Sequence, residues 1–243
     1  MGGHSGDEGG SSGGDRLLAL FPLGTVLFPG VLLPLHVFEE RYRRLVRDLL
    51  EADHEQRELG VVAIREGREV GSDGAGGMRA LHPVGCVARL RRVDPYADGR
   101  FDIVCVGTTR FRFAGDQPLD SSRSYLRGRV ETLPEPAGTD PLGVADGVRR
   151  HFDDYRRALG QDPDSDRADG TSDPLPEDPH QLSYLVAATM VLDLHDRQRL
   201  LEAPDTTARL RSLSRLLRRE TALLGHLPSL PGVELTRVAA SPN

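Results

Sequence analysis

Two short segments carry residue types that could bind a metal ion. "HEQRE" at residues 54–58 resembles HExxH, in which two histidines one helical turn apart chelate zinc. Glu58 stands where the second histidine is required, so we predict no zinc site there. "DPDSDRADGTSD" at residues 162–173 places aspartates at positions 1, 3, 5 and 12 of a calcium-binding loop. Because Arg167 replaces the glycine needed at position 6, an acidic linker is favoured, and calcium binding there is left open.

The composition excludes several enzyme mechanisms for this sequence. It contains no lysine, so all 31 of its lysine-or-arginine positions are arginine. A phosphate-binding loop of the GxxxxGK[ST] type needs a lysine on the phosphates. A Ser-Lys dyad and Schiff-base catalysis also need a lysine amine. A label of ATP-dependent protease would therefore have no chemical basis in these residues.

The remaining nucleophiles and bases are scattered along the chain. The eight histidines include no pair with metal-ligand spacing on one helix. A cryptic hydrolase is one possible function for this chain, and it would need Ser or Cys, His and Asp from distant segments to meet in one pocket. Cys86 and Cys105 lie in apolar runs, which predicts buried thiols in a reducing cytoplasm. We predict no catalytic residue, no metal and no cofactor.

The N-terminal half begins with an uncharged stretch at residues 17–38, "LLALFPLGTVLFPGVLLPLHVF". It is long enough to cross a bilayer as a helix. However, Pro22, Pro29 and Pro34 each remove a helical hydrogen bond, at a cost of about 3 kcal/mol. The stretch therefore predicts short strands separated by a turn at "FPG", and no membrane partner.

In the rest of this half, the spacing of apolar residues changes from that of a helix to that of strands. Apolar residues recur every three or four positions from Phe38 to Ala52, which predicts an amphipathic helix. Between Leu59 and about Leu133 the pattern is that of short strands with turns between them. One early helix among several strands predicts a small, partly closed β-barrel or a sheet.

The C-terminal half is predicted to be a small α-helical bundle. It is interrupted by a segment rich in Asp and Pro at residues 161–179. An apolar stripe with helical spacing marks the last helix: Leu210, Leu213, Leu217 and Leu224. Three aspartates are predicted to cap helix N-termini: Asp178, Asp196 and Asp205.

The charge pattern leaves RNA binding as one alternative function. The net charge of −6 and the pI near 5.8 give no overall reason to expect nucleic acid. A local patch around "ARLRR" at residues 88–92, with aromatic residues nearby, could contact RNA by stacking. The contacts under that alternative are Arg89, Arg91 and Arg110.

The segment "LFPLGTVLFPGVLLPLHVFEERYRRLV" resembles the opening of the N-terminal, substrate-binding domain of Lon proteases. That opening is a strand, a turn containing proline, a second strand, and a helix that carries Arg41 and Tyr42. The resemblance continues through "GVVAIR", "HPVGCVARL", "VGTTRFRF" and "YLRGRVETL", and covers roughly residues 15–225. Near its end, six residues match the Q-x-L-L-E and R-L elements of that family: Gln198, Leu200, Leu201, Glu202, Arg209 and Leu210.

This resemblance implies an α+β fold, with an N-terminal PUA-like β-barrel, one early helix and a C-terminal α-helical bundle. The expected organisation is a disordered leader at 1–14, a barrel at 15–135, a bundle at 140–227 with the flexible acidic insert at 161–179, and a tail at 228–243. We also expect a stand-alone bacterial member without the ATPase and protease domains.

The function implied is that of a non-enzymatic, cytoplasmic polypeptide-binding module in protein quality control. Its expected partner is unfolded, client or degron-bearing protein, and a protease or chaperone if it acts as an adaptor or regulator. Exposed apolar side chains at a barrel–bundle groove would make the contact. Five residues near the "FPG" turn and the following hairpin are predicted to supply them: Phe28, Val31, Leu32, Tyr96 and Phe101. The sequence leaves the oligomeric state open.

Overall fold

The structure is a computed structural model that describes residues 15–65, 80–114, 120, 122–161 and 174–226. These residues form six strands: β1 (Arg16–Leu23), β2 (Leu32–Val37), β3 (Glu58–Ala63), β4 (Val84–Pro95), β5 (Phe101–Phe113) and β6 (Arg127–Thr132). They also form five helices: α1 (Glu40–Glu51), α2 (Pro141–Ala158), α3 (Pro179–Thr189), α4 (Leu194–Leu201) and α5 (Thr206–His226). A short 3₁₀ turn, His54–Gln56, follows α1.

All six strands belong to one sheet in the order β2-β5-β4-β3-β1-β6, and β5 also pairs with β6. The pairings therefore run from β5 through β4, β3, β1 and β6 back to β5, with β2 attached to the other half of β5. Only β1 and β3 are parallel. Two register shifts in the β4–β5 pairing allow these long strands to bend. The α+β composition agrees with the expectation, and a PUA-like barrel stays a prediction.

Helix α1 packs an apolar stripe against residues of the sheet. Tyr42, Leu45 and Leu49 are buried there, and the Tyr42 ring stacks on Phe21 at 4.1 Å between ring centroids. Phe38 was expected on the same stripe, but the helix begins at Glu40 and Phe38 is exposed. The apolar period is real, and it begins one turn later than the sequence pattern indicates.

The helices of the C-terminal half share a core with the sheet. Phe28 and Val84 from the sheet half belong to the same buried cluster as Phe152 and Leu182 from the helices. The stripe on α5 is confirmed by the complete burial of three leucines: Leu210, Leu213 and Leu217. Helices α2, α3 and α4 each contact α5. A separate bundle and the proposed domain boundaries stay predictions.

The predicted helix caps can be compared with the described residues directly. Asp178 accepts backbone hydrogen bonds at the start of α3, with Pro179 as the first helical residue, and Asp205 accepts from the Ala208 N–H at 2.7 Å. Both caps are confirmed. The Asp196 cap is wrong, because α4 begins earlier and Asp193 accepts the N–H of Asp196 at 2.7 Å.

Some expectations fall outside the described residues. The predicted leader at 1–14, the calcium-like segment at 162–173 and the tail at 228–243 lie there. Within the described ranges, no helix combines the length and apolar character that a membrane span requires.

Candidate functional site

The strand β2 presents two different faces because its side chains alternate. Leu33, Leu35 and Val37 point inward and pack against the core that α1 covers. Leu32, Pro34 and His36 point outward, and these outward side chains are exposed. Leu32 alone keeps 63% of its surface accessible.

The register with β5 extends this outward side into a broader apolar surface. Leu32 lies opposite Val106, and Pro34 lies opposite Val104. Directly opposed residues of an antiparallel pair share one face of the sheet. We call this surface the β2–β5 outer face and define it by four residues: Leu32, Pro34, Val104 and Val106.

An aromatic cluster continues the outer face at the β4–β5 turn. We define it by three residues: His36, Phe38 and Tyr96. The His36 ring lies 5.8 Å from the Tyr96 ring and 6.2 Å from the Phe38 ring, measured between centroids. Phe38 and Tyr96 are both exposed. Large amphipathic rings at low conformational cost are typical of protein-binding surfaces.

Hydrogen bonds to Asp102 fix the orientation of this cluster. Tyr96 donates its hydroxyl to Asp102 Oδ2 at 2.6 Å, and His36 Nδ1 lies 2.6 Å from Asp102 Oδ1. These hydrogen bonds, from Tyr96 first and then His36, hold the pKa of Asp102 below its usual value. The carboxylate therefore stays ionised and holds both rings in place at neutral pH.

At its other end the outer face leads into a groove of about 380 Å³ between the "FPG" turn and α3. We call it the turn–helix groove and define it by residues from both sides: Pro29, Val31, Gln181 and Leu185. Leu185 is exposed on α3, so apolar surface is available on both walls. A concave apolar site with a few polar groups is the usual form of a binding pocket.

The turn that forms one wall is held close to β5. Gly30 donates its N–H to the Gly107 carbonyl at 2.9 Å, and Gly107 donates to the Val31 carbonyl at 2.9 Å. A Cβ on Gly107 would lie 2.2 Å from the Phe28 carbonyl oxygen, so only glycine fits there. Gly30 itself has a φ of +80°, which favours glycine as well.

Three of the five predicted contact residues are accessible to solvent in the structure, and two are buried. Leu32 and Tyr96 are exposed, and the partly buried Val31 lines the turn–helix groove. Their role in binding stays a prediction. Phe28 and Phe101 are wrong as exposed contacts, because both side chains are buried.

The physical reason differs for the two phenylalanines. Phe28 has no accessible surface, because it lies beneath the turn and its ring packs 6.1 Å from the Tyr184 ring. Phe101 pairs with Val37 and shares its inward face. Sequence reasoning missed Phe38 and Leu185, and it missed the contribution of β5, which follows only from the strand register.

Arg110 is the largest correction, because this predicted RNA contact is only 2% exposed. Its Nε donates to Glu135 Oε1 at 2.6 Å. Its Nη1 donates to the carbonyls of Leu201 and Ala203, both at 2.7 Å. Arg110 thus joins β5 to the C-terminal end of α4 and is not available to nucleic acid.

Glu135 is the centre of this buried network. It also accepts from the Tyr184 hydroxyl at 2.9 Å and lies 3.3 Å from Arg209 Nη2. Burial alone would raise the pKa of Glu135, but the hydrogen bond and charge of Arg110, with help from Tyr184 and Arg209, hold the pKa below its usual value. The carboxylate is therefore ionised and compensates buried guanidinium charge.

The other two arginines of the RNA alternative do not restore a basic surface with Arg110. Arg89 pairs with Glu58 at 2.8 Å, and Arg91 is exposed. Because Arg110 is buried, the three arginines do not form one shared phosphate-binding face. Arg110 is therefore wrong as an RNA contact, and RNA contact through Arg89 and Arg91 stays a prediction.

Gln198 and Arg209, from the Q-x-L-L-E and R-L elements, both have structural roles. Gln198 donates its side-chain amide to the Val84 carbonyl at 3.0 Å and to Glu202 Oε1 at 2.7 Å. The Arg209 guanidinium lies 3.8 Å from the centroid of the Tyr184 ring. These contacts hold helices and sheet together.

The described residues also limit the catalytic alternatives. Ser214 and His151 lie 2.9 Å apart between α5 and α2, whereas the His36–Asp102 pair lies on β2 and β5. These are separate pairs on different elements, so they do not form a triad. Within the described ranges, no group of three His, Cys, Asp or Glu side chains is placed to hold a metal ion.

Comparison with solved structures shows the fold. The structure titled Lon N-terminal domain protein from Xanthomonas campestris superposes with a TM-score of 0.54 at 23% identity, covering 88% of this chain and 99% of that one. The N-terminal domain of the Mycobacterium avium complex Lon protease gives a TM-score of 0.60 at 20% identity, covering 87% of this chain and 100% of that one. The chain has the fold of Lon N-terminal domains.

Sequence comparison points to the same region of longer proteins. Lon protease 2 of Syntrophobacter fumaroxidans is 31% identical over 206 residues, which is 84% of this chain and 24% of that protein. Lon protease 2 of Sorangium cellulosum is 31% identical over 214 residues, 84% of this chain and 25% of that protein. The chain thus spans about a quarter of the length of these relatives.

The family match is broad and continuous. Residues 18–219 match the family described as the ATP-dependent protease La (LON) substrate-binding domain. This range includes β1 from Leu18 onward, the other five described strands, helices α1 to α4, and α5 as far as Arg219. The chain therefore belongs to the LON substrate-binding domain family.

Proposed function

We propose that this chain is a non-enzymatic polypeptide-recognition module that binds unfolded or degron-bearing protein segments. Family membership supports a substrate-recognition role. The match covers the substrate-binding region alone and about a quarter of each relative, so their proteolytic activity is not carried over. The client polypeptide is the partner, and transfer to a protease or chaperone would make the module an adaptor.

The binding surface proposed is the β2–β5 outer face together with the aromatic cluster and the turn–helix groove. The observation that carries this assignment is the exposure of Leu32, which joins the outer face to the groove through the adjacent Val31. Apolar side chains that remain accessible in a contiguous strip favour binding of apolar segments that folded proteins bury. Exposed segments of that kind distinguish unfolded from folded clients.

The site of action proposed is a reducing compartment such as the cytoplasm. Cys86 and Cys105 are both free thiols and both buried. Free thiols are typical of proteins from reducing compartments.

A matched pair of substitutions tests the surface. Leu32→Ser removes an exposed leucine from the outer face, and Leu142→Ser makes the same change at a leucine that is 67% exposed on α2. Burying a leucine against a ligand contributes about 1.5 kcal/mol or more, which corresponds to roughly tenfold in Kd. We expect fluorescence anisotropy with labelled, unfolded casein to show about tenfold weaker binding for Leu32→Ser and wild-type binding for Leu142→Ser.

Three results would contradict the proposal. Equal affinities of the two variants would show that the outer face does not contact the client. Absence of casein binding by the wild-type protein would remove the function itself. Retention of a labelled single-stranded RNA, lost at moderate salt, would favour nucleic-acid binding instead.

A further inference from the structure

The strand β2 is an edge of the sheet. Among the described residues it pairs only with β5, in an uninterrupted antiparallel register from Leu32 opposite Val106 to Val37 opposite Phe101. An edge strand leaves one row of backbone N–H and C=O groups without a ladder partner. Such a row can pair with another extended chain.

The orientation of that row follows from one hydrogen bond and the alternation of the ladder. Gly107 donates to the Val31 carbonyl, so that carbonyl points towards β5, while the Val31 N–H donates to the Phe28 carbonyl within the turn. In an antiparallel pair every second residue directs its carbonyl the same way. Leu33, Leu35 and Val37 therefore face β5, and the residues between them face the open edge.

Pro34 supports this assignment independently. Proline has no N–H, so within a sheet it is found where the N–H would point away from the neighbouring strand. The open edge thus offers the carbonyls of Leu32, Pro34 and His36 and the N–H groups of Leu32 and His36. The side chains of these three residues are exposed, so the edge lies beside accessible surface.

We propose that the client polypeptide adds to β2 as an extended antiparallel strand and is recognised through its main chain. This inference rests on the proposed function and names the class of ligand: an unfolded segment whose own backbone groups are unpaired. A helix cannot use this edge, because its N–H and C=O groups already bond within the helix. Strand addition is a general mode of peptide recognition, in which the main chain gives affinity and alternate side chains give specificity.

The geometry also says which client side chains meet the outer face. A client residue directly opposite Leu32 exchanges hydrogen bonds with it and directs its side chain to the same side of the sheet. The client residues that bond to β2 are therefore those whose side chains lie beside Leu32, Pro34 and His36 on the outer side of the sheet. Apolar residues at alternate positions fit this arrangement, and proline at a bonding position does not.

Alternate N-methylation of a peptide tests the main-chain contact. The probe is a fluorescein-labelled peptide of alternating leucine and threonine, with glutamate at both ends for solubility. One version carries N-methyl groups on the leucines, the other on the threonines. We expect the leucine-methylated peptide to lose at least tenfold in affinity and the threonine-methylated peptide to retain the affinity of the unmodified one.

The outcomes separate this inference from the proposed function. Equal affinity of the two methylated peptides, with binding still weakened by Leu32→Ser, overturns strand addition and leaves side-chain recognition standing. Failure of the unmodified peptide and of unfolded casein to bind the wild-type protein overturns both.

A gain of binding provides a second test that misfolding cannot mimic. Pro34→Val keeps an apolar side chain and adds the missing N–H to the open edge. One additional backbone hydrogen bond corresponds to about fivefold tighter binding of the unmodified peptide. Unchanged or weaker binding by a variant with wild-type circular dichroism and a wild-type elution volume contradicts main-chain pairing.

Discussion

Replacement of Arg110 by methionine removes the charged centre of the contact between sheet and helices. Methionine has a similar length and is apolar, so packing along the stem is largely kept. The variant leaves the Glu135 carboxylate without its closest cation, which lies 2.6 Å away. It also leaves the carbonyls of Leu201 and Ala203 without the donor that serves both at 2.7 Å.

The expected loss can be worked from these contacts. Removing one partner of a buried ion pair costs about 3–5 kcal/mol, and each buried carbonyl left unpaired costs about 1–3 kcal/mol. These costs overlap, because relaxation and water entry relieve all of them together. Tyr184 and Arg209 also remain beside Glu135 and retain part of its stabilisation. We therefore expect Arg110→Met to lower the free energy of unfolding by about 4 kcal/mol.

Urea unfolding followed by far-UV circular dichroism measures this loss as a shift in midpoint at constant slope. Arg112→Met is the matched control, because Arg112 lies on the same strand but is exposed. Its ion pair with Glu131 is long, at 3.7 Å, and is open to solvent. The control is expected to change stability by less than about 1 kcal/mol. Adding Glu135→Gln to Arg110→Met should recover part of the loss, since the carboxylate is then no longer charged. A loss below about 1 kcal/mol for Arg110→Met would refute the reasoning.

Three further predictions concern the close approach at Gly107, the two buried thiols and the Glu135 carboxylate. Gly107→Ala brings a Cβ to 2.2 Å from the Phe28 carbonyl oxygen, so we expect a lower thermal midpoint and weaker casein binding; wild-type values for both would contradict the close approach. Burial raises the pKa of Cys105 to about 12 and raises that of Cys86 further, so neither thiol should react with Ellman's reagent in the native protein at neutral pH, whereas both should react in denaturant; fast native reaction would contradict their burial. The pKa of Glu135 is lowered in the folded state, so its stabilisation is complete above the usual value near 4.5 and is lost as the pH falls through the lowered folded value. Urea midpoints measured across this acidic range should fall more steeply for the wild type than for Glu135→Gln, and parallel curves would contradict the assignment.

Much of the local structure could be predicted from residue patterns. Prolines at three points in the uncharged stretch ruled out a helix, and the structure places strands on both sides of the "FPG" turn. Asp178 and Asp205 cap helices as expected, because an aspartate before an apolar helical stripe is a local signal. Side-chain alternation along β5 could also have shown that Phe101 points inward with Ile103 and Cys105.

The rest depended on contacts between residues far apart in the chain. Arg110 looks like a solvated arginine in a strand, and its burial follows only when Glu135 and the carbonyls at the end of α4 are placed around it. Phe28 lies next to a turn, and its burial depends on Tyr184 from α3. The outer face likewise needs the strand register, since Val104 and Val106 become neighbours of Leu32 only across the β2–β5 pair.

The central claim is that unfolded polypeptide binds the outer face along the edge of β2. Backbone amide chemical-shift mapping of the ¹⁵N-labelled protein with the leucine–threonine peptide tests it most directly. The account predicts the largest shifts at Leu32 and His36, together with protection of the amides of these two residues from hydrogen exchange. Shifts confined to α4 and α5, with the β2 amides unchanged, would contradict it.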